Sequence, residues 1–242
     1  MKIIEVEGIV VSNTPYKESS KIINIFTSEY GIIGCISKGC KNLKSKLRLP
    51  SEKFAYGTFH LYYKEKGLST LIDGDIKNYF FNIKNDIVKI SYLSYLIELA
   101  VHTYKESENN EVYNLLIDSI LKIEDNLDPR IITNILEVQY LSYLGINLNL
   151  DECVKCGSSK VVTLSMNKGG YVCANCRDNE ELIDEKVLKL LRLYQYVDIS
   201  KISNLDIDEN NSKIISKIID EYYDLYSGLR TKSKKFLKEI DW

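Results

Sequence analysis

Through the first 80 residues the apolar positions of the chain recur mostly at every second residue, and from residue 83 onward at every third or fourth, so strands give way to helices. The first run, Ile3 to Val11, is β-branched and stops at the turn formers Ser12-Asn13-Thr14-Pro15. Ile22 to Phe26 alternates apolar with polar residues up to the Glu29-Tyr30-Gly31 turn, and Ile32 to Ser37 makes a third strand. After a basic stretch, Phe54 to Tyr63 forms a long aromatic-rich strand. Lys64-Glu65-Lys66-Gly67 turns it, and Leu68 to Asp73 returns as its hairpin partner. Five short antiparallel strands in about 75 residues suit a small closed barrel, of which the OB-fold is the commonest one linked to nucleic acids, with an SH3-like barrel fitting nearly as well.

In the second part, Ile83, Ile87, Ile90, Ile97, Val101 and Tyr104 fall on one helical stripe that Leu93, Leu96 and Ala100 widen. A second helix is predicted over residues 110–123. Asp128-Pro129 supplies a capping carboxylate and a first-turn proline, and Gly145 a stop, which together delimit a third. Further helices are expected at 184–197, 211–227 and 232–239. The 242 residues therefore divide into an N-terminal domain at 1–80 and a helical domain at 81–242, with a separate small module inserted at about 150–178.

Composition adds little to this picture: 45% hydrophobic and 27% charged residues are globular values, and no stretch approaches the roughly 18 uncharged apolar residues of a membrane span. A soluble, cytoplasmic protein is expected. Charge is more informative in its distribution than in its total of -2. Residues 1–80 carry 12 basic and 8 acidic side chains, residues 81–242 carry 20 and 26, so a polyanion partner belongs to the first third. The 18 Tyr accompany a general excess of Lys, Ile and Asn, and are not counted as base-stacking residues.

The strongest chemical signal is Cys153-Val-Lys-Cys156 followed, after 16 intervening residues, by Cys173-Ala-Asn-Cys176. Two such knuckles bring four thiolates onto one ion, the ligand pattern of a structural Zn²⁺ site with no open position for catalysis. Disulfides are disfavoured in a reducing cytoplasm, and one CxxC would suffice for redox chemistry. Cys35 and Cys40 are expected to be unremarkable thiols. The second signal is Lys38, Lys41, Lys44, Lys46 and Arg48, five cations in eleven residues with no acid among them, for which a phosphate backbone is a sensible neutraliser. A second cluster, Lys232, Lys234, Lys235 and Lys238, is either a solubilising tail or a DNA contact. Phosphate loops, dinucleotide fingerprints, HExxH and GxSxG are missing from the sequence. His60 and His102 stand apart and are expected to be structural, and Asp73-Gly74-Asp75 is expected to be a turn.

Taken in order, Gly8-Ile-Val-Val-Ser, Pro15-Tyr-Lys-Glu-Ser, Phe26-Thr-Ser-Glu-Tyr-Gly31, Ser37-Lys-Gly-Cys-Lys41 and Lys44-Ser-Lys-Leu-Arg48 resemble the first domain of the bacterial recombination mediator family RecO. The cysteine knuckles and the closing Arg230-Thr-Lys-Ser-Lys-Lys-Phe-Leu237 are similar to its C-terminal half. The resemblance implies an α+β protein, with a five-stranded OB-fold barrel followed by a helical domain that carries an inserted four-cysteine zinc module, and no enzymatic activity. It implies a nucleoid-associated protein of the RecF pathway that binds single- and double-stranded DNA and anneals complementary strands. With RecR it would promote exchange of single-strand-binding protein for RecA, and it would bind the acidic C-terminal tail of single-strand-binding protein. On this resemblance Lys38, Lys41, Lys44, Lys46 and Arg48 contact DNA, and Cys153, Cys156, Cys173 and Cys176 hold the metal. The loop departs from the family's usual Arg-rich form, so bidentate phosphate contacts are fewer. Two other classes compete with this expectation. One is a zinc-ribbon scaffold of the transcription or translation machinery; the other is a metal-dependent nucleic-acid enzyme, which would need an open coordination position or a carboxylate cluster.

Overall fold

The structure is a computed structural model that describes residues 2–241. Its first five strands are β1 (Lys2–Tyr16), β2 (Ser20–Thr27), β3 (Gly31–Ser37), β4 (Tyr56–Tyr63) and β5 (Ser69–Asn78), closed into a barrel in the order β1-β2-β3-β5-β4. β1 serves two neighbours because it is long and bulged between Val10 and Ser12. Its residues Lys2 to Ile9 pair with β4, and Gly8 to Tyr16 pair with β2, all antiparallel. β3 and β5 close the ring in parallel through only two residue pairs, Cys35 with Ser69 and Ile36 with Thr70. This strand order is that of the OB-fold, the first of the two barrels that the strand count allowed.

Two strands run further than their sequences suggest. β1 continues through Ser12-Asn13-Thr14-Pro15, where Asn13 donates a hydrogen bond to the Ser51 carbonyl at 3.0 Å and Pro15 lies opposite Lys21 near the end of the ladder. Asp73-Gly74-Asp75 is strand and not turn: β5 passes through it to Asn78, with a register shift at His60/Leu61 on the facing strand. In both places a ladder partner on the neighbouring strand overrides the local turn preference. The barrel core is built from Val6, Val10, Ile23, Ile25, Ile33, Cys35, Phe59, Leu61 and Leu71. Gly31 is fixed as glycine twice over, by φ of +61° and because a Cβ there would meet the Tyr104 hydroxyl at 1.9 Å.

The helices are α1 (Phe81–Lys84), α2 (Ile87–Ser107), α3 (Glu111–Glu124), α4 (Pro129–Tyr143), α5 (Glu185–Tyr196), α6 (Glu209–Tyr226) and α7 (Lys232–Asp241). A two-stranded hairpin, β6 (Val161–Ser165) and β7 (Gly170–Cys173), lies between α4 and α5. By contacts the chain forms two compact units. One joins residues 2–81 with Ala100–Asn114, the other Asn82–Leu99 with residues 115–241. The end of α2 and start of α3 thus group with the barrel: Phe26 meets Tyr104 with ring centroids 4.9 Å apart and Tyr113 at 5.3 Å. In the other unit α4 is buried along most of its length. Its start is set by Asp128, whose carboxylate accepts from the amides of Arg130 (2.8 Å) and Ile131 (3.1 Å), and Gly145 turns the chain beyond its end at φ +70°. Asp184 and Asp208 cap α5 and α6 in the same manner. Among the described residues no helix is long and apolar enough to cross a membrane.

Candidate nucleic-acid interface and metal centre

Residues 38–48 leave β3 and run as successive tight turns. The amides of Asn42, Ser45, Arg48 and Ser51 each donate to the carbonyl three residues before, at 3.2, 3.0, 3.1 and 3.3 Å. Two side chains plug this segment into the barrel: Cys40 is 1% and Leu47 9% exposed, and both join the core cluster. Cys40 is therefore core, although it stands inside the basic run. Polar ties reinforce the plugs. The Lys41 amide donates to the Ser19 carbonyl at 2.9 Å, and the buried Ser51 hydroxyl donates to the Leu47 carbonyl at 2.7 Å while bonding the Ser37 hydroxyl at 2.7 Å. The cations are thus presented from a fixed frame.

All five cations are exposed. Lys46 forms an ion pair of 2.6 Å with Asp73 of β5, and this partner holds the Asp73 carboxyl below the usual carboxylate range. Among the described residues the Lys41 ammonium reaches only a backbone carbonyl, that of Lys17, at 3.1 Å. Lys38, Lys44 and Arg48 form no ion pair among the described residues. The acid-free appearance of the segment in sequence therefore holds for four of its cations among the described residues, and fails for Lys46 because a strand 27 residues away supplies the counter-charge. Leu43 and Leu49, 81% and 56% exposed, put apolar surface between the charges. On the same barrel, His60 stands 3.6 Å from both Glu5 and Asp75, an exposed cluster without the ligand grouping of a metal site.

In the helical unit, the sulfurs of Cys153, Cys156, Cys173 and Cys176 all lie within 4.8 Å of one another. Local turns bring them there. The Gly157 amide donates to the Cys153 carbonyl at 2.8 Å with Gly157 at φ +69°, and the amides of Cys176 and Arg177 donate to the Cys173 carbonyl at 3.1 and 3.0 Å. Cys156 and Cys173 Sγ are 3.7 Å apart, much too far for a disulfide. That distance matches the roughly 3.8 Å edge of a tetrahedron with metal–sulfur bonds of about 2.3 Å. Burial works against ionising Cys153, but backbone amides at Cys173, Lys155 and Cys156 outweigh it and bring the thiol down to about 6. Cys176, crowded by the thiols of Cys156 and Cys173, is pushed up to about 12. Four thiols so close ionise together only around a cation, so the cluster can hold a metal ion. The hairpin carrying it is tied to α5 by the Tyr171 hydroxyl, which donates to the Leu188 carbonyl at 2.5 Å.

The C-terminal lysines separate into two kinds. Lys234 is drawn inward: its ammonium lies 2.8 Å from Glu137 Oε1, 2.8 Å from Asp220 Oδ1 and 4.5 Å from the centre of the Tyr95 ring. Burial opposes the Lys234 charge, but Glu137 and Asp220 together raise its pKa; burial raises Glu137, which accepts from the Tyr95 hydroxyl at 2.5 Å. Lys238 pairs with the other oxygen of Asp220 at 2.8 Å. Arg230, Lys232 and Lys235 stay exposed and form no ion pair among the described residues.

An OB-type barrel bearing a fixed cationic loop, followed by helices with a four-cysteine cluster, defines a class that comparison with known proteins makes specific: proteins of DNA recombination and repair. Residues 1–80 match the family model "Recombination protein O N terminal" and residues 84–235 the model "Recombination protein O C terminal". The chain is 35% identical to the DNA repair protein RecO of Halalkalibacterium halodurans and to that of Listeria innocua, over 97% of this chain and 94% of each relative. It is also 35% identical to the DNA repair protein RecO of Bacillus pumilus over 99% of this chain and 95% of that protein. The chain belongs to the RecO family.

Proposed function

We propose that the protein is a recombination mediator that neutralises DNA phosphates with its barrel loop, anneals complementary strands, and with RecR promotes replacement of single-strand-binding protein by RecA in the RecF pathway. Family membership supports the class of function. The observation that carries the DNA contact is the loop itself, in which Lys38, Lys44 and Arg48 have no ion-pair partner among the described residues and Cys40 and Leu47 hold the backbone in place. A protein that screens two strands without reading base edges lowers the barrier to their pairing and leaves specificity to the bases. No bond is made or broken in this step, so the function needs no catalytic group. The acidic tail of single-strand-binding protein, RecR and a nucleoid-associated cytoplasmic location complete the proposal. In the cysteine cluster we place a structural Zn²⁺ whose four thiolates leave no open position; it would brace the hairpin β6–β7 against α5.

The test is the annealing rate of complementary strands coated with single-strand-binding protein, for the parent and for a variant with Lys38, Lys41, Lys44 and Arg48 changed to Glu. Loss of annealing in the variant is expected. Four contacts on single strands predict a slope of log affinity against log salt of about -2.8, from roughly 0.7 per contact. A parent that does not anneal at low salt, or a slope near zero, would reject the loop as the DNA site and favour a scaffold that docks protein on the barrel. Metal analysis of purified protein tests the cluster, with one zinc per chain expected and none after Cys153→Ser.

A further inference from the structure

We infer that the segment 230–238 builds a second phosphate-binding groove, which takes a second nucleic-acid strand while the barrel loop holds the first. The inference rests on the proposed role of that loop. Five cations occur between Arg230 and Lys238, and the structure divides their tasks. Lys234 and Lys238 are spent on Glu137 and Asp220, and with the fully buried Leu237 they fasten α7 to its own unit. Ser233 adds a hydrogen bond from its hydroxyl to Glu98. Arg230, Lys232 and Lys235 are left exposed on this fastened support, and they line an open groove of about 940 Å³ with Thr231 and Gly228.

The charge of the groove is positive even when every carboxylate nearby is counted. Its lining holds five cations against Asp220 and Asp224, a net of +3, and Glu137 beneath Lys234 together with Glu98 at Ser233 reduces this to +1. Two aromatic residues, Tyr95 and Tyr223, form its floor, but they are only 3% and 5% exposed, and Leu229 is half-buried. The exposed lining of the groove is nonetheless more apolar than polar, with the charges of Arg230, Lys232 and Lys235, unpaired among the described residues, around it. The three unpaired cations suit a polyanion such as a sugar-phosphate backbone, whose phosphates they would meet while its sugars lie on the apolar lining. Because this groove and the barrel loop belong to different compact units, each has its own cations to give, and annealing would bring together strands held on separate sites.

The experiment uses the full chain and a variant carrying Arg230→Glu, Lys232→Glu and Lys235→Glu, with the loop variant alongside. With labelled oligonucleotides at saturation, the parent is expected to bind two strands per chain, and each variant one. Three phosphate contacts make affinity at the groove fall by about 20-fold between 50 and 200 mM salt. Annealing of bare strands is expected to drop in the groove variant while its tightest single-strand affinity stays that of the parent. If the groove variant still binds two strands and anneals at the parent rate, the inference is overturned whatever the loop does. If instead the loop variant retains both strands, the loop reading fails while the groove remains to be judged by its own variant. A groove variant that anneals normally but loses binding of a poly-glutamate peptide would overturn the nucleic-acid assignment in favour of an acidic protein segment. An unchanged melting temperature is expected, since the three side chains are exposed.

Discussion

The loop at residues 38–48 and the segment at 230–238 carry the same number of cations at similar density, yet the fold treats them differently. In the loop two apolar residues go inside while Leu43 and the cations stay out: Cys40 and Leu47 enter the core, and among the described residues only Lys46 finds a carboxylate. In the C-terminal segment two of the cations are the fasteners, since Lys234 and Lys238 meet Asp220, and Lys234 also meets a Glu137 that is 1% exposed. A lysine is a surface charge or a structural bolt according to whether a buried acid faces it. Composition alone does not distinguish the two.

The contrast is broken most directly at Lys234. Lys234→Ala leaves Glu137 and Asp220 with less counter-charge in a buried setting, and a loss of about 3–5 kcal/mol is expected from denaturant titration. Lys44→Ala, made as its counterpart in the loop, is expected to stay within about 0.5 kcal/mol of the parent; equal losses would erase the distinction. Next in size is Leu47→Ala, which removes a plug without touching charge. It should cost about 2 kcal/mol and weaken DNA binding, with the salt slope unchanged because every cation is still present.

A smaller effect is expected from Lys38→Gln, Lys44→Gln and Arg48→Gln together: stability unmoved, and a salt slope shallower by about 2. The smallest concerns the one paired loop cation. Asp73→Asn releases Lys46, so the slope should steepen by about 0.7 while stability changes by less than about 1 kcal/mol, as for other exposed pairs. The same release occurs with acid. The Asp73 carboxyl is depressed in the folded protein, so the pair's contribution is present above the carboxyl's unfolded pKa and is lost as pH falls through the lower folded value. DNA affinity of the parent, but not of Asp73→Asn, should therefore gain an extra increment in that acidic window.

Much of this architecture was legible because its determinants are local. The change of period marks where strands give way to helices, Asp128-Pro129 and Gly145 bound α4, and the knuckle spacing brings the four sulfurs together through turns of a few residues. What was not legible depends on partners distant in sequence. Strands β1 and β5 run past strong turn formers because a neighbouring strand supplies the ladder, and Lys234 is bolted by a glutamate 97 residues earlier. The plugs Cys40 and Leu47 were hidden for a related reason, since hydrophobic periodicity says nothing about a single side chain turned inward from a loop. Leu47 enclosed between Lys46 and Arg48 was the available sign.

The parallel join of β3 to β5 has a consequence for how the barrel moves. Every other neighbouring pair of strands shares seven or eight residue pairs, while this join has two. Local opening is cheapest where the fewest backbone hydrogen bonds must be broken at once. In amide exchange the seam should therefore lose its protons before the rest of the sheet, at a rate set by partial opening and not by global unfolding. The cationic loop begins at Lys38, immediately after the last residue of β3, and is plugged into the core by Cys40 and Leu47. A fluctuation of the seam is thus expected to arrive at the loop as a slow shift of one anchor, and the exchange rates of Cys35 and Ile36 would be its clock.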